Sequence, residues 1–417
     1  MIRDVVLSLA TYAVTIPAGV ITSILTARVL GVAGRGEYFY IITLASLVVQ
    51  FGHLGLASSN IYALAKNHTL LPRLAANNIW VSLIAGTFTA FVVLLLVAGW
   101  NVTKWEETHS WLLFVMGPVK LYSLLASNLL IGLTRIRQYN LFQIVSAFFQ
   151  LTAIGIAAWM SWGVGGFLTA IALTAAAAAL VLMWFLAKLH SLRWRFDWEL
   201  LGSQFGYARR VYVVTLLGYG VSRVGVLFLD HYAGKSEIGI YSIAVQLTDV
   251  LAILPSTTAM VLFPNLLKSD IQGQYARALA VTWRIGLIML TLCFSIGVAA
   301  YWLIPMLFGD AFMPAVYVLW WMLPGMLALS MTTIISQYLA AEGMPRGNVL
   351  AWIAGLLFLV VSCQQLVPQW GARGAAMGLS LTYVLLGCIL FAFARTYHRK
   401  AVNASAFGIG QQVWMQS

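Results

Sequence analysis

Charge is what this 417-residue sequence has least of: Asp, Glu, Lys and Arg together make up 9% of it, against roughly 25% in soluble domains. A soluble globule of this length covers its surface with charge, so a cytosolic enzyme and a disordered tail are both excluded. Cysteine is nearly missing. Cys293, Cys363 and Cys388 all sit inside apolar runs without metal-ligand spacing, which excludes a disulfide scaffold and leaves no metal or other cofactor to expect. Acids number only 12. The sequence contains no HExxH, no Walker A pattern and no GxSxG, so no residue is assigned a catalytic role. Long polar stretches are missing too, which leaves no room for a separate soluble domain.

Apolar length is what the sequence has in abundance. Hydrophobic residues make up 61%, and the mean hydropathy is +0.89. About 20 apolar residues span a bilayer as a helix. Twelve such windows are expected, at 5–28, 38–62, 77–100, 111–134, 141–162, 166–187, 208–230, 238–263, 281–304, 315–340, 348–367 and 374–395. Their continuous apolar character argues for helices, because the strands of a membrane barrel would alternate. The start of the chain, with Arg3 and Asp4 before a long apolar run, reads as a retained first span. The expected fold class is therefore an all-α integral membrane protein of twelve transmembrane helices in two six-helix lobes.

Basic residues orient it. With the N-terminus in the cytoplasm, the inner segments hold 17 Lys and Arg, and the outer loops hold Arg28, Arg35, Lys104, Lys235 and Arg373. That bias places both termini in the cytoplasm. It also explains most of the +12 net charge without a nucleic-acid partner. The longest polar break, KLHSLRWRFDWELLGSQFGY at 188–207, mixes basic and aromatic residues as an interfacial segment does. The expected organisation is an N-terminal lobe at 1–187, this linker, a C-terminal lobe at 208–396 and a tail at 397–417.

The two lobes look like repeats. Gly31, Gly36 and Tyr38 match Gly234, Gly239 and Tyr241; Met116 and Pro118 match Met322 and Pro324; Trp162, Gly163 and Gly166 match Trp370, Gly371 and Gly374. The offset stays between 203 and 208 throughout. Each lobe would cross the membrane in the same sense, as in transporters built from parallel repeats around a central cavity. Pro118 and Pro324 are expected to kink spans 4 and 10, and Pro17 and Pro255 spans 1 and 8.

Charges within the spans are functional candidates by default, because each is costly there. Lys120 lies roughly 14 Å into span 4, counted at about 1.5 Å per residue. Arg223 in span 7 and Asp249 in span 8 fall near the midplane, and His53 lies in span 2. Two cations against one acid call for an anion, and a phosphate or pyrophosphate headgroup supplies one. Arg223 pairing with Asp249 across the span 7–span 8 hairpin is the competing structural reading. Arg28 and Arg284, near the two mouths, are further candidates for a basic cavity or for interface anchoring. Asp249 and His53 are the candidates for ion coupling. The adjacent acids Glu106 and Glu107 read as a solvated loop.

The stretches ARVLGVAGRGEYFYIITLASLVVQFGHLGLASS (27–59), GLTRIRQYN (132–140), FPNLLK (263–268) and WGARGAAMG (370–378) resemble the Wzx-type O-antigen and polysaccharide flippases of the MOP exporter superfamily, along the whole chain. The resemblance implies a bacterial inner-membrane transporter that moves an undecaprenyl-pyrophosphate-linked oligosaccharide by alternating access. That would serve the synthesis of O-antigen, capsule or exopolysaccharide, with polysaccharide polymerase and chain-length machinery as partners besides the lipid-linked oligosaccharide and membrane lipids. Two alternatives compete. A cation-coupled multidrug exporter would want an acidic cavity. A membrane glycosyltransferase or polysaccharide polymerase would want acids in large outer loops. A peptidoglycan-precursor flippase is a further reading within the transporter class.

Overall fold

The structure is a computed structural model, which describes residues 2–101, 109–189, 195–266, 271–341 and 346–406. Lys104, Glu106, Glu107, Arg193, Lys268 and the tail from 407 onward lie outside the described residues. Every regular element among the described residues is helical. In chain order the α-helices are α1 (Ile2–Gly52), α2 (Leu56–Lys66), α3 (Leu71–Asn101), α4 (Leu113–Gly132), α5 (Ile136–Trp159), α6 (Gly163–Leu189), α7 (Trp198–Tyr232), α8 (Lys235–Leu251), α9 (Ile253–Leu266), α10 (Ile271–Phe308), α11 (Pro314–Ala341) and α12 (Arg346–Ala406).

Among the described residues, ten helical stretches are long and apolar enough to cross a membrane. Two of these are double. At 1.5 Å per residue, the 51 residues of α1 and the 61 of α12 far exceed a hydrocarbon core of about 30 Å. Both are bent at a glycine, Gly31 (φ 66°, ψ −173°) in α1 and Gly371 (φ 53°, ψ −130°) in α12. Counting the halves separately gives the twelve expected crossings.

The bends correct the expected connections. No loop separates the first two crossings, because the helix resumes directly after Gly31. Arg35, expected in a solvated outer loop, is buried at 3% exposure. Its Nη2 donates to Ser23 Oγ at 2.9 Å and its Nη1 donates to Thr26 Oγ1, so it staples the two halves of α1 together. The second span is not one continuous helix over 38–62 either. It breaks at Leu54 (φ 49°) and Gly55 (φ 78°) before α2 begins. Pro255 does not kink a helix interior, because it falls in the first turn of α9, where a missing N–H costs little. Pro17, Pro118 and Pro324 lie inside α1, α4 and α11.

The chain divides into two compact units, 1–216 and 217–417. In the first, α3 packs on α4, α1 on α5, and α4 on α6. Lipid offers no hydrophobic drive between helices, so close packing of small residues must hold them. Gly86 does this on α3: a Cβ there would lie 2.7 Å from Pro118 Cα, so only glycine lets the two backbones meet. In the second unit α11 is central, packed against α8, α9, α10 and α12. Large side chains left outside this packing, such as Ile84, Phe88, Met260 and Phe294, suit an acyl-chain surface rather than water.

The repeat is visible in the backbone. Gly234, the partner of Gly31, has nearly the same dihedrals (φ 84°, ψ 178°). Gly163 and its partner Gly371 both have positive φ, at 66° and 53°. These are conformations that side chains with a Cβ resist.

Candidate functional site

A buried polar lattice occupies one end of the first unit. Asn60 Nδ2 donates to Asn78 Oδ1 (3.0 Å), and Gln204 Nε2 donates to Asn60 Oδ1 (2.8 Å). Asn77 exchanges two hydrogen bonds with the backbone of Asp197, at 2.8 and 2.9 Å. The Asp197 carboxylate caps α7 by accepting from Leu200 N (3.0 Å) and pairs with Arg73. Those two contacts hold its carboxyl below the usual range. Residues 197–204, in the expected linker, are thereby bonded to α2 and α3. Further along α7, Tyr212 Oη donates to Phe51 O at 2.7 Å and its ring stands edge-on to His53, centroids 5.1 Å apart.

Among the expected site residues, His53 is buried at 8% exposure. Its Nδ1 accepts from Gly55 N at 3.0 Å, so it holds the break between α1 and α2. Lys120 is half-buried on α4, two residues past the kink at Pro118. It has no hydrogen-bond or ion-pair partner among the described residues. Arg28 on α1 and Arg284 on α10 are exposed. No group of His, Cys, Asp and Glu that could hold a metal ion occurs among the described residues.

In the second unit the structure brings Arg223 and Asp249 together. Arg223 Nη2 donates to Asp249 Oδ2 at 2.7 Å, with side-chain exposures of 17% and 55%. The guanidinium also lies 5.8 Å from the centroid of Tyr219. Lys235, at the start of α8, pairs with Asp230 at the end of α7. Sequence reasoning missed Arg35 because it assigned that segment to a loop. Ser23 and Thr26, one turn apart on the facing half of α1, were the available signal. An isolated cation between α-helices and a paired one that is partly open can both meet a ligand anion, by ionic hydrogen bonds in a low dielectric.

A family model described as "Polysaccharide biosynthesis protein" matches residues 25–317. The chain belongs to this family. No curated protein sequence matches it. Its fold is that of solved MOP superfamily transporters, each at 13% identity. A multidrug resistance MATE family transporter of the MOP superfamily, in an inward-facing conformation, superposes with a TM-score of 0.73, over 94% of this chain and 96% of that one. The lipid II flippase MurJ, in an inward closed conformation, gives 0.72 over 94% and 87%. A MOP superfamily transporter from Pyrococcus furiosus gives 0.67 over 95% of each chain. The family member described here is thus a multi-pass membrane protein of polysaccharide biosynthesis that shares the fold of these transporters. That sustains the resemblance to the MOP exporters.

Proposed function

We propose that this chain flips a polyprenyl-pyrophosphate-linked oligosaccharide across a bacterial inner membrane, with both termini cytoplasmic, for later polymerisation into a surface polysaccharide. The observation that carries this reading is Lys120: an ammonium inside an apolar helix with no ion-pair partner among the described residues. Such a charge costs at least about 2.5–3.5 kcal/mol at the centre of a span. A phosphate would offset that cost, and the substrate's pyrophosphate brings two. Arg223 is the second proposed contact, with Arg28 and Arg284 guiding the anion at the mouths. Asp249 and His53 remain the proposed ion-coupling groups, Asp249 the more open of the two. The membership in a polysaccharide biosynthesis family and the flippase fold support the substrate class.

The test is transfer in liposomes. The purified protein would be reconstituted with a fluorescent polyprenyl-pyrophosphate-linked sugar, and the fraction of label reachable from outside would be read. Wild type is expected to equilibrate the label and Lys120→Gln to leave it in its original leaflet. Equal transfer by both proteins would remove Lys120 from the site. Transfer of cationic drugs in place of the glycolipid would replace the function.

A further inference from the structure

We infer that Asp249 is a built-in counter-ion that occupies the Arg223 anion site until a phosphate displaces it. This rests on the reading of Arg223 as a substrate contact and adds how that contact is regulated. The geometry is asymmetric. Arg223 is largely enclosed and Asp249 is mostly open, at 17% and 55% exposure. They lie on successive helices, α7 and α8, and are joined by one hydrogen bond of 2.7 Å. A guanidinium offers five N–H donors in a planar fork, so one hydrogen bond each to Asp249 and to the Tyr219 phenol leaves donors to spare. A pyrophosphate bears more charge and more acceptor oxygens than a carboxylate and can engage the fork at two points.

The surroundings leave the carboxylate as the mobile partner. The phenols of Tyr219 on α7, Tyr241 on α8 and Tyr383 on α12 lie within electrostatic reach of the pair, and Cys363 of α12 lies beside Tyr241. Tyr219 accepts a hydrogen bond from the guanidinium, and all of these groups are neutral, so none of them supplies a second negative charge. Among the described residues, Asp249 is the carboxylate in ion-pair contact with Arg223. Tyr241 is fully buried and Tyr383 nearly so. The face toward Arg223 is therefore held in place, while Asp249 can swing toward the open side and leave the guanidinium in position. The repeat offers a contrast: at the matching offset, Asp249 and Arg223 fall on Ser46 and Val20. The pair is an addition to one unit rather than part of the shared scaffold.

The experiment is anion binding by the purified full-length protein, with inorganic pyrophosphate and farnesyl pyrophosphate as probes. Wild type would be compared with Asp249→Asn, Arg223→Gln and Lys120→Gln. Removing the internal competitor should tighten binding roughly tenfold or more in Asp249→Asn, while Arg223→Gln should weaken it. Unchanged or weaker binding by Asp249→Asn, with Lys120→Gln still impaired, would overturn the counter-ion and keep the flippase reading. Binding by none of the four proteins would overturn both. A second measurement needs no substitution. A carboxyl-directed label read by mass spectrometry should modify Asp249 of the wild type faster when pyrophosphate is present. Slower or unchanged labelling would overturn the inference even if Asp249→Asn failed to fold.

Discussion

The two units share a scaffold and differ in chemistry. Where backbone geometry is at stake they agree: glycines with positive φ open the second crossing (Gly31, Gly234) and the sixth (Gly163, Gly371), and a proline bends the fourth (Pro118, Pro324). Where charge is at stake they do not. Lys120 of the first unit corresponds to Met326 of the second, which is buried. Arg223 and Asp249 of the second correspond to Val20 and Ser46 of the first.

The same division runs through the tie between the second and sixth crossings. In the first unit, Glu37 meets His109 at 3.0 Å, and that imidazole lies against Gly165 in α6. In the second, the Glu237 carboxylate accepts directly from Ala372 N at 2.7 Å, at a helix start, where negative charge is favoured. These are two side-chain solutions to one packing problem on a similar backbone geometry. Charges that break the symmetry are then better functional candidates than residues that obey it.

Breaking the asymmetry outright should have the largest effect. Lys120→Met copies the second unit's residue into the first, and transfer should fall by about thirtyfold or more, the scale of one lost charge contact of about 2–5 kcal/mol. Folding, followed by gel filtration and thermal unfolding in detergent, should be intact. The reciprocal Met326→Lys places a charge in a packed position and should lower membrane insertion by about 2.5–3.5 kcal/mol, read as loss of integrated protein.

Smaller effects test what the units share. Gly31→Ala and Gly234→Ala meet no steric clash, since nothing lies within 4 Å of either added Cβ. Both still force a side chain into positive φ with ψ near 180°, a region kept almost to glycine, at about 1–3 kcal/mol each. Their unfolding midpoints should fall by similar amounts, and a large difference between them would deny the equivalence. Ser380→Ala should cost about 1 kcal/mol. The Ser380 hydroxyl accepts from Gly325 N at 2.9 Å and donates to Trp321 O beside the Pro324 kink, whereas the first unit has Ala172 at the corresponding place.

The smallest effect concerns acid. Asp197 is held below the ordinary carboxylate range by Arg73 and by the Leu200 N–H. Its contribution is therefore present at neutral pH and lost as pH falls through that lowered value. Wild type should lose its stability margin over Asp197→Asn on acidification. A margin that does not change with pH would show the carboxylate to be unimportant there.

Much of this was legible in the sequence because it depends on local rules. Helix number follows from apolar length, and the repeat follows from glycines and prolines at constant spacing. The Arg223–Asp249 pair was within reach, since the two stand one hairpin apart. Other features escaped for a physical reason. The lattice of Asn60, Asn78, Asn77, Asp197 and Gln204 joins residues up to 144 positions apart, and nothing local marks an Asn as one that will face another Asn. Arg35 escaped because a short glycine-rich stretch reads as a loop. A single glycine can instead redirect a helix without interrupting it, which takes the following turn, and Arg35 with it, into the interior.

That uninterrupted turn has a consequence for how the molecule can change by insertion. In an ordinary loop an extra residue is absorbed by slack. At Gly31 there is none, and each added residue would rotate the rest of α1 by about 100° and advance it by about 1.5 Å. Tyr38, Ile41, Leu44 and Val48, all now buried, would turn outward together, and Arg35 would lose Ser23 and Thr26. Length variation among related chains should therefore collect in the connections between separate helices and avoid the bends at Gly31 and Gly371. Tags and reporter loops should be placed by the same rule.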